Sequence, residues 1–261
     1  MIKNLSGTFD IIGNIALVKF PKEAKISDKK KSSLEILHRH KSVKTVLEKT
    51  KGFKGRLRKQ QTKYLAGEKT KEALYRENGC VFRFNVDSVY FSPRLGNERK
   101  EIAQKIKKGE EVLVMFAGVA PYSIVIAKNP LAKAVYSNEI NKEANKYGKL
   151  NAELNGVKNK IVFLDGDIKR IAKKISKKFD VIVMPRPQLK ESFLKEAFLL
   201  SKKGTRIYYY DFCKTEEKMK ITEKIKSEAK KVKKRIKISK IKNAGEIAPY
   251  RYRIRVDFKV L

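Results

Sequence analysis

Tryptophan is absent from this chain, and cysteine and histidine occur only twice each. Cys80 and Cys213 lie far apart with no CxxC spacing, and His38 and His40 sit in a lysine-rich stretch. A structural zinc needs about four closely gathered ligands, which this set does not supply, so no metal site is expected. The two thiols read as reduced core residues, with a disulfide between them left open. No apolar run approaches the roughly 18 residues that span a bilayer. The N-terminus also lacks the apolar core of a signal peptide. A cytoplasmic protein with no membrane partner is the expectation.

Negative charge is scarce as well: 28 acidic residues face 63 basic ones, for a net charge of +35. A heat-adapted surface rich in Lys and Glu would pair the two signs. Here the excess is one-sided, and a polyanion that neutralises it is the expected partner. Nucleic acid ranks above an anionic membrane, because no basic amphipathic helix carries Trp or Phe on an apolar face.

The 261 residues, 41% of them apolar, allow one large domain or two small ones with a real core. TFDIIGNIALVKF, residues 8–20, alternates around Gly13-Asn14 and reads as a hairpin. Residues 29–50 carry a helix pattern with Ser32 or Ser33 as a cap. A basic, extended stretch follows, and VFRFNVDSVYF, residues 81–91, alternates like a strand. After Pro93 the pattern changes. NERKEIAQKIKKG reads as a helix stopping at Gly109, and EEVLVMFA as a strand covered on both faces. Then come helix PYSIVIAKN, strand KAVYSNEI, helix EANKYGKLNAELNG, strand KIVFLDGD and a short helix near IKRIAKKI. Strand DVIVM, helix QLKESFLKEAFLLSKKG, strand TRIYYYDF, a lysine-rich helix over 216–235 and a last strand IAPYRYRIRVDFKV complete the chain. This alternation predicts an α/β, mostly parallel sheet wrapped by helices.

Ligands in such sheets bind beyond the carboxyl ends of the strands. MFAGVAP, NEIN, DGD and MPRP all fall there. The small residues of the Phe116-Ala117-Gly118 turn let backbone approach a ligand, although many such turns hold none. Glu139 can accept from both hydroxyls of a ribose, and a carboxylate of the Asp165-Gly166-Asp167 turn can take an adenine amino proton. Ile140 and Ile168 follow these carboxylates as cofactor-side candidates. Each acid alone is an ordinary loop residue. Glycine turn, Glu, Asp and a proline-framed loop on four successive strands together form the pattern of an S-adenosylmethionine site in a Rossmann-like methyltransferase.

VYFSPRLGNERKEIAQKI, GEEVLVMFAGVAPYSIVIAK, DVIVMPRP, GTRIYYYDF and APYRYRIRVDFKV occur in that order. From about Phe9 onward the chain resembles the tRNA (guanine-37-N1)-methyltransferases of archaea and eukaryotes. The VYFSPRL..ER segment separates them from the related aminocarboxypropyl transferase of the wybutosine pathway. The resemblance implies a class I methyltransferase fold, S-adenosylmethionine as methyl donor, and a monomer acting on the anticodon loop of tRNA. It also implies that Glu98 is the general base, that Arg58 stabilises O6 of the guanine, and that Tyr90 shapes the pocket. Arg99 would contact the donor carboxylate. Glu98 also lies at a helix start, where a carboxylate is favoured in any case.

The family pattern Asn-x-Pro becomes Pro185-Arg186-Pro187 here, so Pro185 replaces an amide that packs beside base and donor. Val114 stands where an Asp is expected and Ala120 where a Gly is expected. The proline form resembles an archaeal subgroup that also methylates C7 of 4-demethylwyosine, a tricycle built on position 37. The same three departures would suit an RNA-binding protein that keeps the fold and has lost catalysis. Residues 1–88 are expected to form an RNA-binding α+β domain and 89–261 the methyltransferase domain. The small domain that precedes this region in archaeal relatives is expected to be absent.

Overall fold

Gly13 and Asn14 close a two-residue hairpin between antiparallel strands β1 (Phe9–Ile12) and β2 (Ile15–Val18). Gly13 has φ +58°, and a Cβ there would fall 1.9 Å from the Leu74 carbonyl oxygen, so the position admits no side chain. The computed structural model describes residues 9–214 and 217–261. Thr8, where the expected hairpin begins, and residue 216, where the expected lysine-rich helix begins, lie outside the described residues.

The helix expected over residues 29–50 is only half helix. Helix α1 (Ile26–Arg39) ends before His40, and the remainder joins strand β3 (Thr45–Lys54). Val46 and Leu47 are fully buried there, and β3 runs parallel to β2 and antiparallel to β4 (Lys59–Gly67). The pairing of this β-branched run with two strands overrides its helical spacing. Ser33 caps nothing; it sits inside α1 and donates its hydroxyl to the Lys29 carbonyl at 2.7 Å. The first sheet has the order β1-β2-β3-β4. A separate hairpin follows, β5 (Glu72–Glu77) and β6 (Cys80–Asn85). Val89–Phe91 is loop rather than strand.

Helix α2 (Gly96–Gln104) leads into β7 (Glu110–Met115), α3 (Pro121–Lys128), β8 (Ala132–Glu139) and α4 (Lys142–Leu154). β9 (Ile161–Asp165), α5 (Ile168–Lys174), β10 (Phe179–Met184), α6 (Leu194–Leu199) and β11 (Ser201–Lys214) continue the alternation. Helix α7 (Lys218–Lys231) and the antiparallel pair β12 (Ile236–Ala248) and β13 (Arg251–Val260) finish it. The second sheet has the order β12-β13-β11-β10-β7-β8-β9, parallel from β11 to β9. Val112 and Val114 face one buried layer, Leu113 and Met115 the other, as expected for a strand covered on both sides. The chain leaves β7 toward β8 and β9, then returns to the opposite side of β7 as β10. That reversal opens a crevice beyond the carboxyl ends of β7 and β10.

Candidate active site

The β7–α3 turn is built from left-handed residues. Phe116, Gly118 and Ala120 have φ of 59°, 58° and 65°. Ala120 therefore adopts the conformation that glycine supplies without strain, which explains the glycine expected there. A Cβ on Gly118 would meet only ordinary contact, the Tyr90 carbonyl oxygen at 3.5 Å. Backbone conformation, not lack of space, favours glycine at this position.

The turn delivers the Gly118 N–H to the Glu139 carboxylate at 2.8 Å. Glu139 also accepts from the Ile140 and Asn141 N–H groups, each at 2.8 Å. Burial pushes its carboxyl up, against these three donors that favour the ionised form. Next to it, Asn138 donates to the Leu164 and Gly166 carbonyls at 2.7 and 3.0 Å, joining the ends of β8 and β9. Asp167 caps α5 by accepting from the Lys169 N–H at 3.0 Å. Its other oxygen lies 2.9 Å from Arg56, in the turn between β3 and β4. Burial raises the Asp167 carboxyl, but the Arg56 guanidinium together with the Lys169 amide and charge outweighs it and leaves the group below its usual value.

A cavity of about 310 Å³ lies over these strand ends. Phe116, Gly118, Glu139, Ile140, Asp167 and Ile168 line one side, and Pro185 comes from the end of β10. Arg58 and Tyr90 close it from the N-terminal side. The Arg58 guanidinium lies 5.6 Å from the Tyr90 ring centre and 5.7 Å from that of Phe53. Asn141 ties this roof to the sheet, donating to the Leu57 and Ser88 carbonyls at 3.2 and 2.9 Å.

The proline-framed loop is held by the arginine between its prolines. Arg186 is buried, with Nη1 2.5 Å from Asp211 and Nη2 on the Leu189 and Glu191 carbonyls. This clamp fixes residues 185–191 as an irregular loop, and α6 starts only at Leu194 rather than near Gln188. Both prolines face the cavity.

A sequence model of the TRM5/TYW2 methyltransferase domain matches residues 73–239, and one of the TYW2 N-terminal domain matches residues 1–70. The chain belongs to the TRM5/TYW2 methyltransferase family. The tRNA (guanine(37)-N(1))-methyltransferase Trm5b of Pyrococcus abyssi is 36% identical over 98% of this chain and 76% of its own length. Its crystal structure superposes with a TM-score of 0.87 over the same shares of the two chains. The tRNA (guanine(37)-N(1))/4-demethylwyosine(37)-methyltransferase Taw22 of Nanoarchaeum equitans is 33% identical, over 97% of this chain and 100% of the relative. A Methanocaldococcus jannaschii Trm5 in complex with adenosine is 27% identical, with a TM-score of 0.80 over 98% of this chain and 75% of that one.

Three residues expected at the site of this TRM5/TYW2 chain do not line the cavity. Arg99 is fully buried at the junction with β5, paired with Glu77 through both Nε and Nη2 and bonded to the Ser92 carbonyl at 3.0 Å. A bidentate carboxylate has taken the fork that was expected to hold the donor. Ala117 is buried, its N–H committed to the Asn138 carbonyl at 2.8 Å. Glu98 is 5% exposed and held by Tyr210 Oη at 2.9 Å, Arg255 Nη1 at 2.6 Å and Lys242 Nζ at 2.7 Å. Arg255 is itself fully buried among Glu98, Glu101 and Asp257.

Several lining residues escaped the sequence reading: Arg56, Asn138, Asn141, Phe193, Phe212 and Arg253. Asn138 and Asn141 flank Glu139 within NEIN and share its strand-end position, a signal that was present. Arg56 and Arg253 are two of 63 basic residues, and nothing local distinguishes them.

Proposed function

We propose that this chain transfers the methyl group of S-adenosylmethionine to N1 of guanosine 37 in the tRNA anticodon loop. One observation carries the reading: a single cavity joins an adenosine-type half to a basic, aromatic half. The first half fits a nucleoside. Glu139 offers carboxylate lone pairs suited to ribose hydroxyls, Asp167 an acceptor for an amino group, and Phe116 and Ile168 apolar flanks. When bound, the donor supplies an electrophilic methyl on a sulfonium sulfur.

The chain's own groups must hold an extruded guanine, accept its N1 proton as N1 takes the methyl, and balance the charge that builds on O6. Tyr90 is the stacking wall and Arg58 a cation for O6. Glu98 is assigned as proton acceptor. To reach N1 its carboxylate must leave Lys242 or act through one water; such contacts commonly tighten only once substrate is bound. Residues 1–88 act as the RNA-binding domain and 89–261 as the methyltransferase domain. The enzyme works as a monomer in the cytoplasm.

Pro185 and the likeness to Taw22 support a second acceptor at the same position, C7 of 4-demethylwyosine. The match of residues 1–70 to the TYW2 N-terminal domain favours aminocarboxypropyl transfer as the competing reading. Mass spectrometry of nucleosides from treated tRNA separates them. N1-methylguanosine is expected in unmodified transcript, and a C7-methylated tricycle in tRNA carrying 4-demethylwyosine. An added aminocarboxypropyl group, or no product at all, would overturn the proposal.

A further inference from the structure

Four arginines line the cavity, and two of them are already paired: Arg56 with Asp167, and Arg186 with Asp211. Among the described residues, neither Arg58 nor Arg253 has a carboxylate partner. Arg253 is half-buried on β13, its Nη2 3.3 Å from Tyr90 Oη and its guanidinium 5.3 Å from the Phe212 ring centre. It also lines a second cavity of about 260 Å³ on the far side of Tyr90. A cation drawn into an aromatic cleft, beside a phenol and a ring and with no carboxylate partner among the described residues, is poised for an oxygen from a ligand.

The sheet order says which ligand brings that oxygen. Arg253 pairs with Phe212 on β11, and four strand steps separate β13 from β8, which carries Glu139. At about 4.8 Å per step this is roughly 19 Å, beyond the nucleoside half of the cavity. Between them stand Pro185 at the end of β10 and Phe212 on β11. Arg253 therefore serves the acceptor side. Its place beside Tyr90, inside the cleft, suits a base edge better than a backbone phosphate.

We propose that Arg253 donates to the six-carbonyl oxygen of the extruded purine, acting with Arg58 as a pair of donors where negative charge develops. The inference rests on the methyl-transfer reading above.

The test pairs Arg253→Ala and Arg253→Lys with tRNA transcripts carrying guanosine or 6-thioguanosine at position 37. Thermal midpoints establish that the variants fold, and equilibrium dialysis with S-adenosylmethionine gives the donor dissociation constant. For Arg253→Ala, the single-turnover rate on guanosine is expected to fall about 100-fold, the size of one lost donor at a developing oxyanion. Arg253→Lys recovers part of the loss, and donor binding changes less than about 2-fold in both. The sulfur substitution slows Arg253→Ala less than it slows the wild type, because only the Arg58 bond is left for it to weaken. Equal thio effects in wild type and variant would overturn the proposal. So would a donor constant weakened about 10-fold, which would make Arg253 a donor contact, or a salt-dependent loss confined to RNA KM, which would make it a phosphate contact. A wild type that makes no N1-methylguanosine would instead sink the function on which the proposal rests.

Discussion

Arg56 Nη2 lies 2.9 Å from the Asp167 carboxylate, so the turn between β3 and β4 reaches across the cavity to the cap of α5. The same oxygen is the one available to an adenine amino group, because the other caps the helix. The arginine side chain is 56% exposed, which limits the pair to about 1 kcal/mol. Arg56→Ala is therefore expected to tighten S-adenosylmethionine binding in the absence of RNA by up to about 5-fold, read by calorimetry. Weaker binding would mean that Arg56 contacts the donor itself.

Glu98 is enclosed by Tyr210, Arg255 and Lys242. If it accepts the N1 proton, Glu98→Gln keeps the shape and removes the acceptor. The single-turnover rate should then fall by about 100-fold or more while the donor dissociation constant holds. A rate within a few-fold of wild type would transfer the proton to another acceptor and leave Glu98 as a structural partner of Arg255.

Glu101 shares Arg255 and Lys242 with Glu98 and offers a test read from stability rather than from rate. Its hydrogen bond to Arg255 holds the carboxyl down to about 2, aided by Lys242 and opposed by burial. A carboxyl depressed on folding contributes stability above its unfolded value, and that contribution is lost as pH falls from the ordinary carboxylate range toward 2. Glu101→Gln should be less stable at pH 7 and should lose less on acidification. Urea midpoints measured for both proteins between neutral and acid pH check this, and parallel profiles would refute it.

The parallel core of the fold was legible because each strand there is a short apolar run stopped by a turn. The ends NEIN and DGD could be found for the same reason, and Glu139 and Asp167 with them. Strand β12 was not legible. Its pairing with β13 shifts register between Ile238 and Lys240, between Asn243 and Glu246, and again before Ala248. Ile241 is 41% exposed, so neither a two-residue period nor burial marks the strand. The α1–β3 boundary was hidden because Val43, Val46 and Leu47 fit a helical face until β2 and β4 are present to pair with them. The fate of Arg99 depends on Glu77, 22 positions away, and Arg253 gains its meaning only from Tyr90, 163 positions away. Such pairings are set by tertiary folding and leave no local pattern.

The charge excess predicts steep salt dependence for tRNA binding. Each phosphate neutralised contributes about 0.7–0.9 to the slope of log affinity against log salt. A slope steeper than about 4 is expected from filter binding across a range of salt concentrations. A slope below about 2 would mean that most of the 63 basic residues are solvated surface rather than RNA contacts.

Pro185 separates the two acceptors. It lines the cavity without an amide to donate or accept, and Arg186 holds the loop that carries it. An apolar wall costs little to pack against an extra ring, whereas an amide must find partners for its own polar atoms. Pro185→Asn should therefore retain or improve methyl transfer to guanosine 37 and reduce transfer to 4-demethylwyosine. The ratio of the two rates should shift by about 10-fold, the effect of roughly one unsatisfied buried polar group. Parallel reactions on unmodified transcript and on tRNA carrying the tricycle measure that ratio. An unchanged ratio would remove Pro185 as the determinant, and no activity on the tricycle in the wild type would remove the second acceptor altogether.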